Sequence, residues 1–186
     1  LHPMVIMGSI IGALFFFLQK SPCFPNIDNV SVGTVLIIML YGCTLLPLPL
    51  KWDIRGWTEM HPLNGPAWSL YYEYIGNILY ALFVRKFNKV ALSILVFLAA
   101  CATLHLCLTA PNGDIVGGWA LNWEQQYVGF VRLLYPFFAG LLLSRLGWLI
   151  RVKKRAFWWC SLMIVIVLSV PRIGGEDGFW MNGLYE

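Results

Sequence analysis

The chain has 186 residues, of which 59% are hydrophobic and 12% charged, with a formal net charge of +4 and a mean hydropathy of +0.71. Soluble domains carry about twice that charged fraction, so water alone cannot solvate this polypeptide. The apolar residues run on continuously, without the alternation of half-buried strands, which points to an all-α, membrane-embedded chain and to no nucleic-acid partner.

Six apolar blocks follow in chain order, each compatible with a span of roughly twenty residues once interfacial positions are included. Met4 to Leu18 has no basic n-region or small-residue cleavage site before it, so it reads as a span and not a signal peptide. Pro22 and Pro25 close it. Val32 to Leu46 stops at Pro47 and Pro49, and a loop ending in Pro62 to Pro66 leads into Ala67 to Val84. Val90 to Leu108 runs to Pro111 to Gly113, then Tyr127 to Trp148 and Phe157 to Val170 complete the set before Pro171 to Gly175. Proline and glycine punctuate these boundaries. The chain starts at Leu1 without an initiator Met and stops at Leu184-Tyr185-Glu186, where another segment could begin. Residues 1–186 are therefore expected to form one partial domain, truncated at both ends, of a larger polytopic transmembrane helical bundle.

Tryptophan prefers the headgroup level over the bilayer centre. Trp52, Trp57, Trp119, Trp123 and Trp180 fall in connecting segments, while Trp68, Trp148, Trp158 and Trp159 stand at proposed helix ends. Lysine and arginine in short loops mark the cytoplasmic side. Arg85, Lys86 and Lys89 follow the third block, and Arg145, Arg151, Lys153, Lys154 and Arg155 follow the fifth, so eight of the thirteen basic residues share one side. The intervening loop from Thr109 to Gln126 holds Asp114 and Glu124 but no basic residue, and belongs opposite. Counting back places Leu1 and the loop Leu46 to Pro66 outside, although that loop carries Lys51 and Arg55. The five cysteines lack C-x-x-C spacing and sit in or beside apolar blocks, as small hydrophobes do. Cys101 and His105 are two soft ligands without a third, so no metal site is expected.

The most informative stretch is Leu63-Asn64-Gly65-Pro66-Ala67-Trp68-Ser69-Leu70-Tyr71-Tyr72-Glu73. At 100° per residue Ser69, Tyr72, Glu73, Gly76, Asn77 and Tyr80 form one polar stripe along the third helix. A carboxylate in a span costs roughly 2.5 to 3.5 kcal/mol on insertion scales, so Glu73 should face a protein interior or a wet cavity and is a functional candidate. A seam that merely glues helices together is the bland alternative, but Asn or Ser would serve that purpose at lower cost.

The run from Pro66 to Glu73, followed by aromatic Tyr80, resembles the W-S-L-x-x-E signature of the acyltransferase 3 family, bacterial membrane-bound carbohydrate O-acyltransferases of about ten spans. Leu1-His2-Pro3 is similar to the end of that family's R-x-x-R-[IL]-x-P stretch, and Arg132, Phe137 and Gly140 occupy the places of a later R-x-x-x-x-F-x-x-G helix. These matches fall in the family's order and span most of the chain. The family's arginine and histidine pair would lie upstream of Leu1. Basic residues expected there favour a cytoplasmic start, against the loop count, and a re-entrant stretch within Pro47 to Pro66 would restore parity.

The resemblance implies transfer of an acyl group, most simply acetyl, from acyl-CoA as co-substrate to a hydroxyl of a cell-envelope glycan or lipid-linked sugar, by a multi-pass protein of the bacterial inner membrane with no bound cofactor. Glu73 would act as base or orient the upstream histidine, while Ser69 and Tyr72 would hold it or donate to the reacting oxygen. Trp68, Asn77, Tyr80 and His61 are candidate substrate-binding residues. Arg132 suits a phosphate of the acyl donor or is an interfacial, snorkelling arginine. The competing function is a transporter or flippase whose path the Glu73 stripe lines.

Overall fold

The computed structural model describes residues 2–110, 115–147 and 155–169. Six α-helices appear in the expected order: α1 (His2–Phe15), α2 (Val32–Gly42), α3 (Ala67–Leu82), α4 (Lys89–Thr109), α5 (Trp123–Leu146) and α6 (Ala156–Leu168). Short 3-10 turns at Phe16–Gln19, Ile27–Asn29, Leu50–Trp52 and Val84–Lys86 link them. The expectations for Leu1, Pro111 to Gly113, Asp114, Trp148, Arg151, Lys153, Lys154, Val170, Pro171 to Gly175 and Trp180 lie outside the described residues, as does the chain end at Leu184 to Glu186.

α2 and α4 start at side-chain caps. Ser31 Oγ accepts from the Thr34 amide at 3.2 Å, and Asn88 Oδ1 from the Ala91 amide at 2.8 Å, each satisfying a donor with no partner inside its helix. Three stretches, His2–Gln19, Lys89–Thr109 and Trp123–Leu146, are long and apolar enough to cross a membrane. α2 and α6 are apolar but shorter; the turns of α2 rise about 16 Å, against a hydrocarbon core of about 30 Å. α2 ends early because Leu45 takes the left-handed conformation, φ 62°, and Pro47 and Pro49 cannot continue a helix. Among the described residues the six blocks are thus six helices, and three apolar helical stretches have the length and composition of spans.

The chain divides into two compact units. The first holds Leu1–Lys86 with Val116–Leu133, the second the remaining described residues. In the first, α1 packs on α2 over a core of Phe16, Ile27, Val35, Ile38, Leu48, Ile54 and Leu63. Two glycines let the chain lie directly on α1. A Cβ at Gly12 would stand 1.7 Å from the Leu63 carbonyl oxygen, and one at Gly8 would stand 2.5 Å from Asn64 Nδ2. The turn before α3 is therefore seated on α1 by close backbone approach. The segment before that turn pairs in extended fashion on both of its edges: the Leu48 amide donates to the Met60 carbonyl at 2.9 Å and the Met60 amide to the Trp119 carbonyl at 2.7 Å, beside a bridge between Glu59 and Ala120.

In the second unit the Arg145 guanidinium donates to the Phe87 carbonyl. α4 exposes Val90, Ile94, Phe97, Leu98, Leu104 and Leu108, and α6 buries none of its residues. A helix apolar all round belongs against lipid or other helices.

Candidate functional site

The signature helix α3 is held at its first two turns by the start of α5 and the backbone before it. A Cβ at Gly129 would stand 2.1 Å from Cζ of Tyr72, so only glycine lets α5 accept that ring. Tyr72 is 2% exposed and meets Phe130 edge-on at 5.4 Å between centroids, with Trp68 at 6.2 Å. Gly118, at φ +104°, would bring a Cβ within 2.9 Å of the Trp68 ring. Arg132 then closes the cluster: its guanidinium carbon lies 5.0 Å from the Trp68 ring centroid, and Nη1 donates to the Gly117 carbonyl at 3.2 Å. Gln125 Oε1 accepts from the Gly118 amide at 2.7 Å. The geometry makes Arg132 a clamp joining Trp68 to the 117–118 backbone, while its side chain stays exposed.

The polar stripe of α3 is divided. Tyr72 and Gly76 are buried on the edge that meets the first unit's interior, Ser69 is half-buried, and Glu73, Asn77 and Tyr80 are exposed. The cause is the approach at Gly129, which pulls α5 onto one edge and leaves the other uncovered. Ser69 Oγ donates to the Pro66 carbonyl at 2.9 Å, and Asn77 Nδ2 to the Glu73 carbonyl at 2.8 Å. Tyr72 Oη is buried without a partner. The Glu73 carboxylate takes no hydrogen bond among the described residues, and it shares its uncovered face with Tyr74 at 63% and Ile78 at 44% exposure. Neither Ser69 nor Tyr72 is brought onto it.

His61 lies elsewhere, in the extended segment before α3. Residues 57, 59 and 61 alternate onto one face, as in a strand, and line a cavity of about 190 Å³ with Gly65, Trp68 and Trp119. His61 Nε2 is 3.3 Å from the Leu45 carbonyl. That oxygen can only accept, so the ring proton sits on Nε2 and Nδ1 carries a lone pair; Nδ1 is buried without a partner. Burial pushes the His61 pKa below its ordinary value, more than the Leu45 hydrogen bond raises it, which keeps the ring neutral.

Glu59 is fixed by Arg55, a residue only 9% exposed. Arg55 Nη2 donates to Gln19 Oε1 at 2.7 Å, Nη1 lies 3.5 Å from Glu59 Oε2, and the guanidinium carbon is 5.1 Å from the Phe24 ring centroid. Asp53 shapes the turn between them, its carboxylate accepting from the amides of Arg55, Gly56 and Thr58 at 3.0, 2.9 and 2.8 Å. Burial raises the Glu59 pKa against the pull of Arg55. The sequence marks Arg55 only as a basic loop residue and Trp57 and Trp119 only as interfacial anchors, and nothing in it singles out Glu59 beyond the W-x-E-x-H alternation. Among the described residues no group of three or more His, Cys, Asp or Glu side chains could hold a metal.

Long apolar helices, a carboxylate on a helix face and a clamped tryptophan at that helix's start define a helical membrane protein with a polar site. A family model described as an acyltransferase domain, of the acyltransferase 3 type, matches residues 1–185. The chain belongs to the acyltransferase 3 family. No curated protein and no solved structure matches it.

Proposed function

We propose that the protein is a multi-pass O-acyltransferase of the bacterial inner membrane. It moves an acyl group, most simply acetyl, from acyl-CoA to a hydroxyl of a cell-envelope or extracellular polysaccharide. Family membership across residues 1–185 carries this reading. The placement of Glu73 adds chemical support. A carboxylate facing lipid costs roughly 2.5 to 3.5 kcal/mol on insertion scales, so the uncovered face of α3 is suited to meet a further helix or a wet cavity, where a carboxylate can take a proton. In the reaction the acceptor oxygen attacks the thioester carbonyl while its proton passes to a base. The tetrahedral oxyanion then collapses, expelling the CoA thiolate, which takes up a proton.

Glu73 serves in this reading as that base, or orients a histidine that does. Tyr72, packed against Gly129, and Ser69, bonded to the Pro66 carbonyl, position the helix that carries Glu73, and Trp68, Asn77, Tyr80 and His61 are assigned to the acceptor. Arg132, whose Nη1 is engaged by Gly117, offers its remaining guanidinium edge to a donor phosphate. Glu73→Gln in the whole protein should lower polysaccharide acylation at least a hundredfold, within the range for losing a general base, at unchanged membrane abundance. Normal acylation by that variant would remove Glu73 from the mechanism.

A further inference from the structure

The hollow bounded by Trp57, Glu59, His61, Gly65, Trp68 and Trp119 is built and not incidental. Two walls come from segments locked to each other through Met60 and Trp119, and the third, Trp68, is clamped by Arg132. Trp57 is 48% exposed, an uncovered indole rather than a core residue. Pockets for drug-sized ligands hold about 300 to 1,000 Å³; at about 190 Å³ this one suits a single ring and is too small for coenzyme A.

The lining decides which ring. Indole faces favour a flat or saturated ring with apolar faces, or a cation. The Glu59 carboxylate is the one negative group on the wall, and Arg55 lies 3.5 Å from it, so the site is close to neutral and a cationic guest finds little uncompensated charge. A carboxylate oxygen is a hydrogen-bond acceptor. A guest with apolar faces and O–H donors around its rim meets all of these conditions.

We propose that this hollow seats the acceptor: Trp57, Trp68 and Trp119 cover the faces of one sugar ring, and Glu59, fixed by Arg55, accepts hydrogen bonds from its hydroxyls. The inference rests on the acyltransferase reading and adds to it Trp57, Glu59 and Trp119 as acceptor-binding residues and Arg55 as a positioning residue.

The test uses the whole protein in nanodiscs, with methyl glucoside, methyl N-acetylglucosaminide, choline and adenosine as fluorescence-titration probes. A methyl glycoside should bind saturably, and Trp57→Ala, Trp119→Ala and Glu59→Gln should each weaken it about tenfold, one order in Kd. In acyl-transfer assays the same variants should raise the acceptor KM and leave the donor KM unchanged. Arg55→Lys should keep part of the affinity that Arg55→Met loses. Glu73→Gln should stop transfer without altering glycoside binding. Saturation by choline or adenosine but by neither glycoside overturns the proposal, as does an unchanged acceptor KM in correctly folded Trp57→Ala and Glu59→Gln. If glycosides bind as expected but no acyl group is ever transferred, the enzymatic reading fails and the binding site stands. Transfer with the pocket variants unaffected sinks the pocket alone.

Discussion

The unit built on α1, α2, α3 and the start of α5 and the unit built on α4, the rest of α5 and α6 both consist of apolar helices, yet they bury different things. Among the described residues the buried polar or charged side chains are Ser9, Arg55 and His61, and all belong to the first unit. The second exposes apolar side chains along α4 and buries no residue of α6. Hydropathy cannot separate the two. What separates them is close approach at glycine: Gly12 meets the Leu63 backbone, Gly8 the Asn64 side chain, and Gly118 and Gly129 the Trp68 and Tyr72 rings, so that non-helical segments with their amides and carbonyls lie against helices. In a membrane such backbone is tolerated only where protein or water satisfies it, so the first unit is where chemistry can be held.

The sharpest way to break this comparison is Gly12→Ala. A Cβ there meets a backbone oxygen at 1.7 Å, and backbone cannot rotate away as a side-chain end can. The substitution should cost on the order of 3 kcal/mol, the upper part of the range for overpacking, read as a lowered unfolding midpoint in detergent. A wild-type midpoint would mean that the Leu63 turn is loosely seated and that the first unit owes nothing to glycine.

His61 gives a smaller, pH-resolved effect. Its pKa in the fold is depressed below the ordinary 6.5, so the unfolded chain accepts a proton that the folded chain refuses. The stabilisation from a neutral His61 is complete above about pH 6.5 and is lost as pH falls towards and through the folded value, at up to about 1.4 kcal/mol per pH unit for one proton. Between pH 7.5 and 5.5, His61→Gln should therefore lose less stability than wild type, by at most about 1.4 kcal/mol. Identical pH slopes in both proteins would show that the imidazole is open to water.

The helices were legible because apolar runs bounded by proline and glycine need no tertiary information; within the described residues all six blocks fall on helices. Their lengths were less so. α2 stops at Gly42 where the apolar run continues to Leu46, because the left-handed turn at Leu45 is set by packing and by the prolines beyond. The Trp68 to Glu73 signature led to the right helix, but helical periodicity could not say which edge of its stripe α5 would cover. That depended on Gly129, far along the chain and unremarkable as one glycine among seventeen. Glu59 and Arg55 were hidden for a similar reason. Arg55 looked like a topological oddity in a loop, and only the fold brings Gln19 and Phe24 to it.

The mildest test concerns α5 beyond its division between units. Along α5, Tyr135, Pro136, Ala139 and Gly140 share one helical face, small at Ala139 and Gly140, and Gly140 is exposed with no described atom within 4 Å of a Cβ built there. Gly129, eleven residues earlier on the same helix, has a ring at 2.1 Å. If the small face of the second unit is open, Gly140→Ala relieves the entropic cost of glycine in a helix without a clash and should stabilise the protein by a few tenths of a kcal/mol, up to about 1. Gly129→Ala should instead destabilise it by about 1 to 3 kcal/mol. The pair keeps helix and chemistry constant and varies only the neighbour. A loss of stability in Gly140→Ala, measured by thermal unfolding in lipid nanodiscs, would place another helix against that face and make the second unit as closely packed as the first.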